Sequence, residues 1–127
     1  MPTTILIADD YDDNRELLRL LLQAASYEVH EARNGKECVN SAREKLPDLI
    51  MVDLSMPELD GWEVFRTLKA DSATAHIPCV AFTAHADTDC ERALKIGFSA
   101  FIAKPFRTDE MLATVARVVR GIKARTV

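Results

Sequence analysis

The chain has 127 residues, 48% hydrophobic and 28% charged, with a formal net charge of -4. That length holds one core and falls short of two typical domains, so a single soluble domain over 1–127 is expected. The acid excess gives no global reason to bind nucleic acid, no apolar stretch is long enough to span a bilayer, and Met1-Pro2-Thr3-Thr4 carries no basic segment ahead of a hydrophobic run; the expected compartment is the cytoplasm.

Residues 4 to 9 read as a buried strand, and Leu17, Leu18, Leu21, Leu22 and Ala25 then recur at helical spacing. Tyr27 to Ala32 alternates as a second strand. Arg33-Asn34-Gly35 turns into a helix that ends before Pro47, and residues 48 to 53 form the continuous apolar strand expected where both faces of a sheet are covered. Gly61 opens a helix carrying Trp62, Phe65 and Leu68. After Ile77-Pro78 come a strand at 79 to 83, a helix from 87 to Ile96 stopped by Gly97, and a strand at 99 to 103. A last helix presents Met111, Leu112, Val115, Val118, Val119 and Ile122 on its inner face, while Arg117, Arg120, Lys123 and Arg125 form a solvated basic face near its C-terminus. Five βα units of this kind predict an α/β fold: a doubly wound, three-layer parallel sheet with right-handed crossovers, and no repeat or linker.

Four of the strands end on reactive polar residues: Asp9-Asp10, Asp53, Thr83 and Lys104-Pro105. In a parallel sheet these tips meet at one edge, where open α/β folds place their ligands. The first strand-to-helix turn, Asp9-Asp10-Tyr11-Asp12-Asp13, lacks the glycines that bring backbone N–H groups to a phosphate, and its acids would repel a bare one. Two carboxylates about 4 Å apart repel by roughly 4 kcal/mol at an effective dielectric near 20, so three converging acids call for a divalent cation. Magnesium suits the set, since it needs few carboxylates beside a carbonyl, waters and a phosphate oxygen. Asp12 and Asp13 are expected at the helix start, because Asp13 precedes Glu16 by three in the manner of a capping box. An EF-hand fails: Asp10, Asp12 and Asn14 match its first ligands, but Arg15 stands at the glycine and Leu21 at the final glutamate. Cys38, Cys79 and Cys90 form no Cys-x-x-Cys pair and read as reduced thiols; His30, His76 and His85 are scattered.

Asp9-Asp10, Asp53, Met56-Pro57 with Asp60-Gly61, Thr83-Ala84 and Lys104-Pro105 occur in the order and near the spacing of one family, and over essentially its whole length the chain resembles the receiver domain of bacterial response regulators. The resemblance implies a flavodoxin-like strand order of 2-1-3-4-5 and a regulatory phosphoacceptor in a two-component system or phosphorelay, not an enzyme that turns over a substrate. It implies that Asp53 accepts a phosphoryl group from a phosphohistidine of a sensor histidine kinase or histidine phosphotransferase, or from acetyl phosphate. It further implies that Asp10, Asp53 and the Ser55 carbonyl bind Mg²⁺ directly, with Asp9 acting through water. Lys104 pairs with Asp53 and then with the phosphoryl, Thr83 donates its hydroxyl, and Ala84 leaves the approach open. The Lys104-Pro105 bond is expected cis.

In such a domain Thr83 and Phe101 are the expected switch pair, with phenylalanine lacking the phenol that many members carry, and the readout surface is the fourth helix, fifth strand and fifth helix. Ser55 and His85 flank the path of a hydrolytic water and are expected to tune the lifetime of the phosphorylated form. Asn14, Leu17, Pro105 and Phe106 are the expected kinase-facing residues, Phe106 being open to a second role as core anchor. With the last helix reaching almost to Val127, either a stand-alone receiver acting on a downstream protein or a receiver excised from a longer protein is expected. Two other readings share parts of the pattern. A haloacid dehalogenase-like phosphohydrolase would also use Asp53 as nucleophile but needs a second Asp where Ser55 stands, and an FMN carrier would need hydroxyls and glycines in the acidic first turn.

Overall fold

The computed structural model describes residues 2–125, with side-chain surroundings described through residue 122. Five strands alternate with five helices: β1 (Thr4–Ala8), α1 (Asp12–Ala24), β2 (Glu28–Ala32), α2 (Gly35–Lys45), β3 (Leu49–Asp53), α3 (Gly61–Ala70), β4 (Cys79–Thr83), α4 (Ala86–Ile96), β5 (Ala100–Ala103) and α5 (Thr108–Arg125). The strands pair in parallel in the order β2-β1-β3-β4-β5. Because β1 is followed by a step outward to β2 and then by steps to its other side, the crossovers place helices on both faces.

The two core layers follow from the two-residue period of a strand. Leu6, Ala8, Ile50, Val52 and Ala81 face α2, α3 and the one buried residue of α4, Ala93. Ile5, Ile7, Leu49, Met51, Val80 and Phe82 face α1 and α5, meeting Leu18, Leu22, Met111, Val115 and Val119. With both faces covered, every residue of β3 and β4 is buried, which is why their sequences are unbroken apolar runs up to the polar tip. Of the residues expected on the inner face of α5, Leu112 and Val118 are only partly buried against this layer. Arg117 and Arg120 are exposed on its outer side; the side chains of Lys123 and Arg125 lie outside the described residues.

Helix ends differ in two places from the sequence reading. The N-cap of α1 is Tyr11 and makes no side-chain cap bond, so the expected Asp13–Glu16 capping box does not form. Asp9 accepts from the Tyr11 N–H at 2.9 Å and turns the chain two residues sooner, leaving Asp12 and Asp13 inside the first turn, where their charge complements the helix dipole. Tyr27 falls outside β2 because Ser26 adopts φ 75° and the Tyr27 N–H closes the end of α1 on the Leu22 carbonyl at 3.1 Å. The complete capping box is at α3, where Asp60 accepts from the Glu63 N–H at 2.9 Å and the Glu63 side chain accepts from the Asp60 N–H at 3.2 Å. Gly97 ends α4 at φ 119°, a conformation glycine adopts without strain. Among the described residues, no helix is long and apolar enough to cross a membrane.

Candidate functional site

Parallel pairing brings the ends of β1, β3, β4 and β5 to one edge, where Asp9, Asp10, Asp53 and Lys104 form one cluster and the Thr83 carbonyl accepts from the Lys104 N–H at 2.7 Å beside it. Asp9 is 1% exposed and Asp53 6%, while Asp10 stands exposed at the rim. One carboxylate oxygen from each of Asp9, Asp10 and Asp53 lies within 4.8 Å of the others. Gly61 permits the crowding behind them: a Cβ there would come within 2.5 Å of the Asp53 carbonyl oxygen and 2.7 Å of the Leu54 Cα, so α3 starts hard against the end of β3.

Two nearly buried acids this close require compensation. Lys104 Nζ supplies part of it, at 2.7 Å from Asp53 Oδ2 and 3.4 Å from Asp9 Oδ2. Burial works to lower the Lys104 pKa, but the hydrogen bond and charge of Asp53, with those of Asp9, outweigh it and leave the ammonium above its ordinary value. The adjoining Lys104-Pro105 peptide bond is cis. Asp53 Oδ1 accepts from the Ser55 N–H at 2.9 Å. Asp9 is the most committed of the three, since it accepts from the Tyr11 N–H, from Asn14 Nδ2 at 2.8 Å and from Lys104.

Three carboxylates facing one ammonium leave two negative charges uncompensated at the cluster. Hard oxygen donors with that deficit fit a divalent cation such as Mg²⁺. Asp10 and Asp53 have oxygen lone pairs to offer, whereas Asp9 is already spent on three donors, which suits it to act through water.

Thr83 is fully buried at the tip of β4. Its hydroxyl oxygen accepts from the His85 N–H at 2.8 Å and donates its one hydrogen to Asp89 Oδ2, also at 2.8 Å. Ala84 and His85 are exposed beyond it, as is Ser55 beyond Asp53. Phe101, paired across from Ala81, is partly buried against the α2–α3–α4 layer. Phe106 is partly buried too: its ring meets Phe82 edge-on with centroids 5.9 Å apart, so it anchors the β5–α5 loop to the core, and it also lines a shallow groove with Tyr11, Asn14, Leu17 and Pro105.

Two participants escaped the sequence reading. Arg15 donates to the Asp9 carbonyl at 2.9 Å, to Asp12 at 2.7 Å and to Glu31 at 3.2 Å, pinning the acidic turn from beneath. Its signal was available: at three and seven residues before Leu18 and Leu22 it shares their buried face, and a buried arginine needs acceptors. Asp89 left no such signal, because its partner Thr83 lies across a helix start that periodicity does not resolve.

Comparison with known proteins gives a consistent result. The sequence pattern of the response regulator receiver domain matches residues 5–116. The chain is 40% identical over 116 residues to the polar-differentiation response regulator DivK of Brucella anthropi, covering 91% of this chain and 94% of that protein. Among solved structures, a response regulator from Chloroflexus aurantiacus superposes with a TM-score of 0.89 at 30% identity, over 94% of this chain and 99% of the other. The receiver domain of a sensor histidine kinase from Pseudomonas aeruginosa, which has a magnesium ion coordinated in its active site cleft, superposes with a TM-score of 0.85 at 29% identity, over 94% and 98% of the two chains.

Proposed function

Since the chain belongs to the response regulator receiver domain family of two-component signalling, we propose that Asp53 is its phosphoacceptor and that the whole chain acts as one cytoplasmic receiver. The observation that carries this reading is the Asp53 carboxylate itself: nearly buried, paired with Lys104 at 2.7 Å, and grouped with Asp9 and Asp10. A carboxylate oxygen of Asp53 attacks the phosphorus of a phosphohistidine on a kinase or histidine phosphotransferase. The P–N bond breaks, its electron pair returns to the imidazole nitrogen, and Asp53 becomes an acyl phosphate. With acetyl phosphate as donor the P–O bond breaks and acetate leaves.

Asp10, Asp53 and the Ser55 carbonyl would hold Mg²⁺, with Asp9 orienting a water. When bound, the ion supplies positive charge to the transferring phosphoryl oxygens. Lys104 neutralises the Asp53 carboxylate beforehand and follows the charge onto the phosphoryl afterwards. Thr83 turns its hydroxyl to a phosphoryl oxygen, and Phe101 moves inward behind it, altering the surface of α4, β5 and α5 that a downstream protein reads. The donor docks on the groove that includes Asn14, Leu17, Pro105 and Phe106, beside the acidic turn. Ser55 and His85, exposed on either side of the site, set how readily water reaches the acyl phosphate.

Intact mass after incubation with acetyl phosphate and Mg²⁺ tests the assignment. Wild type gains one phosphoryl mass and Asp53→Asn gains none; equal gain in both would move the acceptor elsewhere. Steady turnover of a phosphate ester would instead favour a phosphohydrolase.

A further inference from the structure

Resting on the assignment of Asp53 as acceptor, we infer that Asp89 is a positioning residue: it holds the Thr83 hydroxyl in the unphosphorylated protein, tying the start of α4 to the sheet, and the acyl phosphate releases that tie by competing for the same hydrogen. A threonine hydroxyl has one hydrogen to give. In this structure it goes to Asp89 Oδ2 at 2.8 Å, while the oxygen's acceptor side is engaged by the His85 N–H. Thr83 is fully buried, so bulk solvent does not compete for its hydroxyl. Donation to a phosphoryl oxygen on Asp53 therefore requires that Asp89 be given up. No covalent bond changes at either residue, and the proton stays on Thr83 Oγ1 throughout.

What makes this hydrogen bond matter to α4 is how little else holds the helix start. The N-cap, His85, makes no side-chain cap bond, and Ala93 is the one residue of α4 that is buried. One turn beyond Asp89, the Arg92 guanidinium lies over the Trp62 ring at 4.1 Å from its centroid. Trp62 is the chain's single tryptophan, so a shift of α4 changes the surroundings of the one indole.

A four-member cycle of wild type, Asp89→Ala, Thr83→Ala and the double variant tests the tie. In unphosphorylated protein, Asp89→Ala should speed amide hydrogen exchange at the start of α4 and shift Trp62 emission. With acetyl phosphate and Mg²⁺ it should load about three- to tenfold faster, the low end for a hydrogen bond to a partly exposed charged partner. Adding Asp89→Ala to Thr83→Ala should change none of the three quantities, because the hydroxyl it acts through is gone. Asp89→Asn, which keeps an acceptor oxygen without the charge, should fall between. If Thr83→Ala proves unstable, Thr83→Ser retains the hydroxyl and must preserve the full response to Asp89→Ala. Equal exchange and loading in Asp89→Ala and wild type, or equal Asp89→Ala effects in both Thr83 backgrounds, would overturn the inference. A wild type that takes up no phosphoryl group counts against the acceptor assignment alone, since the exchange measurement on unphosphorylated protein still decides whether the tie exists.

Discussion

Helix α3 enters through a complete capping box and buries Trp62, Val64, Phe65 and Leu68, whereas α4, leaving the next strand at the same edge of the sheet, has no side-chain cap and buries Ala93 alone. The contrast continues at their far ends: Phe65 stacks on Phe98 at 4.2 Å between centroids, while Leu94 and Ile96 of α4 stand 48% and 42% exposed. One helix is part of the core, and its neighbour rests on the core. The function proposed for Asp53 calls for both, carboxylates held still and a neighbour able to shift: α3 braces the end of β3 behind Asp53, and α4 is lightly seated.

Truncating the stacked ring is the severest way to probe this difference. Phe65→Ala should cost about 3–5 kcal/mol in urea unfolding, as deletion of a packed core aromatic does, while Leu94→Ala on α4 should stay within about 0.5 kcal/mol. Comparable losses in the two variants would mean that α4 is as firmly seated as α3. Alkaline titration comes next. Burial pushes the Cys38 and Cys79 thiols, both in the layer under α3, up to about 12 and about 11 from an ordinary 9.0. The folded chain keeps protons that the unfolded chain releases, so this contribution is whole below pH 9 and drains away as pH climbs toward the folded values. At about 1.4 kcal/mol per pH unit and thiol, the loss reaches roughly 3 kcal/mol by pH 10. Stability measured from pH 8 to 10 should fall, and fall less in Cys38→Ala relative to its own value at pH 8; a thiol reagent should label the partly exposed Cys90 of α4 well before the other two.

Asp60→Ala removes the capping box and should cost about 1 kcal/mol, with faster amide exchange in the first turn of α3. The smallest expected effect is that of Arg92→Ala, about 0.5–1 kcal/mol for the lost stacking on Trp62, accompanied by a shift in Trp62 emission. An unchanged emission would show that the guanidinium does not stay over the ring.

The alternation of strands and helices was legible because the sheet is covered on both faces, so that β3 and β4 announce themselves as apolar runs ending on Asp53 and Thr83. Gly97 marked the end of α4 for a purely backbone reason. Asp12 and Asp13 do stand at the start of α1, as expected, but the capping box does not form: Asp13 and Glu16 have its spacing, and the Asp9 carboxylate takes the Tyr11 N–H first and starts the helix early. Spacing along the chain cannot show that competition, because it depends on where β1 ends. The tips that gather at the sheet edge were readable for the same reason the sheet was. Their supports were not: Arg15 and Asp89 act through partners fixed by three-dimensional turns, and only Arg15, an arginine on an apolar helix face, left a trace in the pattern.

The ammonium of Lys104 reaches back across 95 positions to Asp9 and 51 to Asp53. On the role proposed for Asp53, accepting a phosphoryl group is conditional on the fifth strand having docked: a polypeptide still emerging from the ribosome, or one nicked before β5, carries every acid of the cluster and lacks the Lys104 countercharge. Under that role, a half-made chain holds the acids and cannot yet be addressed.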